Sequence, residues 1–361
     1  MVSLALVSEA AAVNLTPSDT ATSALERAAF VALPAVYDVR GTIRVTAIVT
    51  AGRRRTVDHT LQIHGTAFGV APKRVVSALH LVSPANERLL DELRTLGVPN
   101  LPDDPAAARV VTDPVTRVTL RRARTAASAF ACAGVVPPPI PAQVGLASAN
   151  RDDDLVLLNI EDVDAPTLAL DDSQTTDTRV AAIGFGDQES AIPVIRTGSV
   201  NQTAAIADNE RFATIDIAVV RGDSGAPVID EAGRSHGVVL RRESGETPPV
   251  MAQAASVRTL LAADGTSNRE TAATTDFRAA MDTFWARDYP LAQGRLEALA
   301  KQSPAAALAR CEAQQAGQLA AAPYGISGPS RTRNAVLAFG AMAALAAAIL
   351  GIMRVRRQRL D

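Results

Sequence analysis

Three residues of this chain could together turn a hydroxyl into a nucleophile: Ser224, His80 and Asp154. Ser224 stands in VVRGDSGAPVID (219–230), between Gly222-Asp223 and Gly225-Ala226-Pro227, with apolar runs on both sides. Glycine, aspartate and serine are also common turn residues, so taken alone the stretch reads equally as a turn. A serine hydroxyl is a poor nucleophile at neutral pH and needs an adjacent base, itself oriented by an acid. His80 ends the apolar run VVSALHLV, where an imidazole has no evident core role. Asp154 opens DLVLLNI, a charge directly before a buried-looking strand. Singly, His80 reads as a core or surface histidine and Asp154 as a strand-capping carboxylate. In the order His, Asp, Ser on one β-rich chain, they read as base, orienting acid and nucleophile.

The elements that must position them are short strands. YDVRGTIRVTAIVTA and HTLQIHGTAFGVA alternate or cluster β-branched residues on either side of GRRR, and RVVSALHLV continues that character. PANERLLDELRTLGV (84–98) has leucines at helical spacing, with proline near its start and glycine near its end, which predicts a helix. RVVTDPVTRVTLRRA reads as a hairpin. DLVLLNIE, TRVAAIGFG, PVIRTGSVNQT, RFATIDIAVV, APVIDEAG and HGVVLRR follow as strands divided by turn residues. Many short strands with frequent turn signals predict an all-β sandwich or a pair of barrels.

Composition narrows the function classes. The formal net charge of −2 over 361 residues leaves no basic excess for neutralising phosphates, so nucleic acid is not an expected partner. The two cysteines, Cys132 and Cys311, lie far apart in unlike contexts and suggest neither a zinc site nor a disulfide scaffold. His59 and His64 lack metal-ligand spacing, so neither a metal nor a cofactor is expected. Residues 335–353, AVLAFGAMAALAAAILGIM, carry no charge and are followed by RVRRQRLD. That pattern predicts a transmembrane helix with the C-terminus in the cytoplasm and the preceding chain outside. A buried core helix is the alternative, and MVSLALVSEAAAV, without a basic start and interrupted by Glu9, is not an ordinary export signal.

The stretches around the three residues resemble the trypsin-like (chymotrypsin-fold) serine peptidases, in particular the bacterial HtrA-like branch, here without a PDZ domain. GTAFGVAPKRVVSALHLV is similar to the strand pair leading to that family's catalytic histidine, RDDDLVLLNI to its aspartate segment, and TIDIAVVRGDSGAPVID to its serine loop. The resemblance implies a mainly β, chymotrypsin-like double six-stranded β-barrel, followed here by a helical hairpin and one C-terminal transmembrane helix. It assigns nucleophile, base and orienting acid to Ser224, His80 and Asp154, the oxyanion hole to the amides of Gly222 and Ser224, and the base of the specificity pocket to Ala218. With no carboxylate at Ala218, cleavage after small or apolar residues is implied. Leu79 and Ala226 stand where smaller residues are usual, and the stretch from Pro84 to Arg151 is long for compact members.

The domain reading follows: an N-terminal arm (1–33) and a peptidase domain (34–262) with an inserted helix and hairpin around 84–150. After a linker (263–275) come a helical module (276–322), a second linker (323–334), the membrane segment (335–353) and a basic tail (354–361). Tyr289, Ala292, Leu296 and Pro304 fall at offsets similar to a tetratricopeptide repeat, so the module is either a protein-partner surface or an ordinary helical hairpin. The function implied is a membrane-anchored serine endopeptidase acting on protein or peptide. The competing reading is a catalytically silent protease-fold binding or sensor protein at the membrane.

Overall fold

The computed structural model describes residues 23–49, 55–98, 101, 108–124, 137–162, 165–173, 176–186, 191–202, 212–240, 249–302 and 307–321. Two compact units divide the chain, Met1–Ala316 and Gly317–Asp361. Of the second, only 317–321, the end of a helix, is described.

Two long strands begin the first barrel, β1 (Val36–Val49) and β2 (Arg55–Ala71), paired antiparallel from Val36↔Phe68 to Val49↔Arg55. Side chains on a strand alternate between faces, and here Tyr37, Val39, Ile43, Val45 and Ala47 turn inward, as do Leu61, Ile63 and Ala67. β3 (Arg74–Ala78), β7 (Leu155–Asn159), β6 (Ile140–Ala147) and β5 (Arg117–Arg122) complete a ring of six that closes through β5–β1 and β1–β2. β4 (Ala108–Thr112) pairs with the far half of β1, Val45–Val49, while β5 pairs with Tyr37–Arg40.

That arrangement corrects the hairpin expected at RVVTDPVTRVTLRRA. Both strands run antiparallel to β1, so they lie end to end rather than side by side. The break falls at Asp113-Pro114, where proline has no N–H to continue a ladder. β5 is thus a barrel strand and not part of an insertion, whereas the helix expected at 84–98 is present as α2 (Asn86–Thr95).

The second barrel closes in the order β10 (Phe212–Ile215), β13 (Val250–Gln253), β12 (Ser235–Leu240), β11 (Pro227–Ile229), β8 (Arg179–Gly184), β9 (Val194–Gln202). Its core holds Val180, Val200, Ile215, Val228, Val239 and Met251. The double-barrel expectation therefore holds.

Helices cover the rest. The arm expected at 1–33 contains α1 (Ala24–Ala32), begun by a capping box in which Ser23 and Glu26 each satisfy the other's amide. Its Phe30 is fully buried and stacks on Phe277, ring centroids 6.2 Å apart. Phe277 lies on α4 (Ala272–Trp285), which follows α3 (Ala254–Ala263) and precedes α5 (Tyr289–Gln302) and α6 (Ala307–Ala321).

α4 begins inside the stretch read as linker, and the extended part of that stretch is pinned down. Asn268 Nδ2 donates to the carbonyls of Val70 (2.6 Å) and Leu168 (2.9 Å), and the Thr274 hydroxyl donates to the Thr167 carbonyl at 2.8 Å. Polar side chains that satisfy buried backbone groups make an anchored connection of a sequence that composition alone marks as loose.

α4 and α5 form a helical hairpin in which Arg295 caps the Ala279 carbonyl and Ala292 and Leu296 are fully buried. Pro304 lies outside the described residues. Cys311 is disulfide-bonded; Cys132, the other cysteine of the sequence, lies outside the described residues. Among the described residues no helix is long and apolar enough to cross a membrane, and 335–353 lies outside them.

Candidate active site

Strand register brings His80 to Asp154. β3 pairs with β7 so that Ala78 faces Leu155. Two residues beyond Ala78, His80 sits in a 3₁₀ turn (Leu79–Leu81). One residue before Leu155, Asp154 adopts a left-handed backbone, φ +50°. Such a φ is uncommon outside glycine but tolerated by aspartate. The two turns are tied by the Leu79 amide, which donates to the Asp154 carbonyl at 2.8 Å.

The Asp154 carboxylate then grips His80 twice. Oδ1 accepts the His80 backbone amide at 2.8 Å, and Oδ2 accepts from the ring Nδ1 at 2.5 Å. A carboxylate can only accept, so this contact assigns the proton to Nδ1 and leaves Nε2 with its lone pair. Nε2 is buried and makes no hydrogen bond, to the Ser224 hydroxyl or to any other group.

Ser224 comes from the second barrel, in the connection between β10 and β11, and is 4 % exposed. Two consecutive turns shape it. The Asp223 amide donates to the Val220 carbonyl (3.1 Å) with Gly222 at φ +93°, and the Ala226 amide to the Asp223 carbonyl (2.9 Å) with Gly225 at φ +89°. A positive φ at the third residue defines a type II turn and calls for glycine. Space demands it as well: a Cβ on Gly222 would lie 1.9 Å from the Gly186 carbonyl oxygen, and one on Gly225 2.0 Å from that of Thr66. Among the described residues, neither the Gly222 nor the Ser224 amide has a hydrogen-bond partner within the protein.

Thr66 of β2 fastens this loop to the first barrel. Its amide donates to the Ser224 carbonyl (2.9 Å) and its hydroxyl to the Gly222 carbonyl (2.8 Å), while the same hydroxyl accepts the Phe185 amide at 3.3 Å. Ser77 of β3 in turn donates to the Thr66 carbonyl at 2.6 Å. Gly65 lies between Leu81 and the Ser224 backbone: a Cβ there would meet Leu81 on one side and the Ser224 carbonyl on the other.

Asp223 braces the turn from beneath. It is 1 % exposed, and its carboxylate accepts the amides of Val220 (2.9 Å) and Gly186 (3.1 Å). Arg196 of β9 places Nη1 3.0 Å from the same group. Burial pushes the Asp223 carboxyl above its ordinary range, with Arg196 and the two amides opposing that rise.

Thr66, Arg196 and the brace formed by Asp223 were not singled out from sequence. The one signal was a charge inside otherwise apolar strands, Arg196 in PVIRTGSV and Asp223 in AVVRGDSGAP. Ala218 is exposed, in the stretch between β10 and the serine turns, and the structure does not group it with His80 and Asp154.

Beside His80 the first barrel holds a cavity of about 50 Å³ whose lining includes Ile43, Leu61, Ile63, Leu81 and Leu89. One edge is formed by Arg221, whose guanidinium pairs with Glu92 of α2 at 2.5 Å.

Two closed barrels with an oriented imidazole on one and a serine turn with free amides on the other define a protein of the serine-peptidase class. Residues 65–238 match the family described as a trypsin-like peptidase domain. The chain carries that domain and is a serine endopeptidase, a hydrolase. It is similar to the active form of the Rv3671c protease of M. tuberculosis, with 16 % identity over 71 % of this chain and 94 % of that one, TM-score 0.39. It is similar also to the HtrA-type protease AlgW with a decapeptide, 14 % over 66 % of each chain, TM-score 0.42. A serine endoprotease of Yersinia pestis gives 15 % over 69 % and 67 %, TM-score 0.40. At such scores these likenesses carry no weight in assigning residues. No curated protein sequence matches the chain.

Proposed function

We propose that the chain is a membrane-anchored serine endopeptidase working through an acyl-enzyme, with Ser224 as nucleophile. The reading is supported by an imidazole oriented by Asp154 on the first barrel and, on the second, by a serine turn whose Gly222 and Ser224 amides have no partner among the described residues. His80 Nε2 takes the Ser224 proton as Oγ bonds to the scissile carbonyl carbon, and Asp154 steadies the imidazolium that forms. The amides of Gly222 and Ser224 receive the developing oxyanion, each worth roughly 3–4 kcal/mol in such sites. The carbon–nitrogen bond then breaks, with the proton passing from His80 to the leaving amine. Water, deprotonated by the same imidazole, releases the acyl group. A preference for small or apolar side chains rests on the resemblance alone, which puts the uncharged Ala218 at the base of the specificity pocket.

The uncharged segment 335–353 between arginine-bearing flanks supports the anchor, with the peptidase domain outside and the tail in the cytoplasm. A second reading, a silent or signal-gated member, is favoured by one feature: His80 Nε2 makes no bond to Ser224. Catalytic hydrogen bonds often tighten only when substrate binds, so we retain the active reading.

The test is digestion of a proteome-derived peptide library by the full chain and by Ser224→Ala. Expected are new termini after small or apolar residues, absent with Ser224→Ala. Cleavage only after arginine would overturn the specificity, and termini that persist in Ser224→Ala would overturn the nucleophile.

A further inference from the structure

Among the buried titratable groups that the proposed chemistry leaves unused is an imidazole. His236 of β12 is 2 % exposed, and neither ring nitrogen makes a hydrogen bond. A buried ring whose polar atoms make no well-formed hydrogen bond among the described residues calls for an explanation, an ion or a water being the usual one. Its Nε2 lies 3.3 Å from Oδ2 of Asp230, the residue directly after β11. Asp171, on the connection between the two barrels, offers a third donor, and one ligand atom from each of the three lies within 4.8 Å of the others.

Each carboxylate is held through Oδ1 by backbone amides, and both Oδ2 atoms meet the Arg234 guanidinium. Asp230 Oδ1 accepts the amides of Ala232 and Arg234, both at 2.9 Å, and Asp171 Oδ1 accepts the Ser173 amide at 2.8 Å. Asp171 Oδ2 is buried. Backbone contacts that fix a carboxylate in this way orient metal ligands.

We infer that Asp171, Asp230 and His236 form a structural divalent-metal site, suited to zinc. One imidazole and two carboxylates with a water in the fourth place make a zinc ligand set. The ion would clip the inter-barrel connection to the β11–β12 hairpin. It would lie at the far end of β11 from the serine turns, apart from the proposed catalytic residues. Sequence spacing conceals it: only Asp230 and His236 are near one another along the chain.

Arg234 is the competitor. Its guanidinium pairs with Asp230 (Nη2, 2.7 Å) and with Asp171 (Nη1, 2.5 Å). Nearly half exposed, it can swing into solvent when an ion enters.

The test uses the full chain carrying Ser224→Ala, stripped with chelator, desalted after zinc addition and assayed for metal content and Tm. One equivalent of zinc is expected, with a rise in Tm. Asp171→Asn, on a half-buried connection, and His236→Gln should each weaken binding by about tenfold or more, and Arg234→Ala should tighten it. His80→Ala should leave the stoichiometry unchanged. Zinc lost in His80→Ala would place the ion on the catalytic imidazole and overturn the proposal. So would zinc retained undiminished in Asp171→Asn. Binding by Arg234→Ala alone would identify the guanidinium as the native cation, which overturns it equally.

Discussion

Replacing Arg196 by methionine keeps the aliphatic stem and removes the cation paired with Asp223. The pair is well shielded, with the Asp223 side chain 2 % and the Arg196 side chain 14 % exposed, so solvent does little to replace the lost charge. Breaking a buried pair from one side costs about 3–5 kcal/mol. At about 2 °C per kcal/mol for a chain of this size, Tm should fall by about 6–10 °C. Catalysis should suffer separately. Asp223 holds the Val220 amide, which starts the turn presenting Gly222, and a misplaced oxyanion donor costs up to about a hundredfold in kcat with little change in KM.

The pH dependence has a definite sign. Burial already raises the Asp223 carboxyl, and losing Arg196 raises it further. An acid raised in the folded state binds a proton that the unfolded chain releases. Its stabilising share is therefore complete below the unfolded pKa and disappears as pH rises through the folded one. The stability deficit of Arg196→Met against the parent should accordingly grow from acid to neutral pH. Paired kcat, KM and Tm measurements across pH on one peptide substrate check this, with Arg196→Lys restoring part of kcat. A variant that loses Tm but keeps the parent kcat at every pH would refute the bracing role.

Three further substitutions probe the same geometry. Thr66→Val preserves volume but strands the Phe185 amide and the Gly222 carbonyl, and should cost about 1–3 kcal/mol in denaturant unfolding. Gly225→Ala sets a Cβ against the Thr66 carbonyl at a positive φ, and should abolish peptide hydrolysis and lower Tm. Asp154→Asn suits the left-handed backbone and keeps an acceptor for the His80 amide, so Tm should hold in a thermal melt. kcat should nonetheless drop by about 10⁴, because the amide no longer enforces the Nδ1–H tautomer.

The two-barrel fold was legible in the period-two pattern along β1 and β2, and the three candidate site residues stood out by local signals, a turn with two glycines and a charge at a strand edge. What sequence concealed depends on pairing partners. Whether β4 and β5 pair with each other or in line along β1 is set by strand direction, which composition does not encode. Thr66 looks like any β-branched strand residue until the serine loop of the other barrel is laid over it. The stretch GTSNRETAATT has the polar composition of a free linker, yet Asn268 and Thr274 spend their hydrogen bonds on buried backbone. A resemblance could lend Ala218 a role, but its exposed position gives that role no support in geometry.

The central claim is that Ser224 is a nucleophile made reactive by His80 and Asp154. Labelling the full chain with a fluorophosphonate, followed by peptide mapping, tests it most directly. The account requires one adduct, on Ser224, absent in Ser224→Ala and strongly slowed in His80→Ala. An adduct on another residue, or no labelling under conditions where the chain is folded, would contradict it.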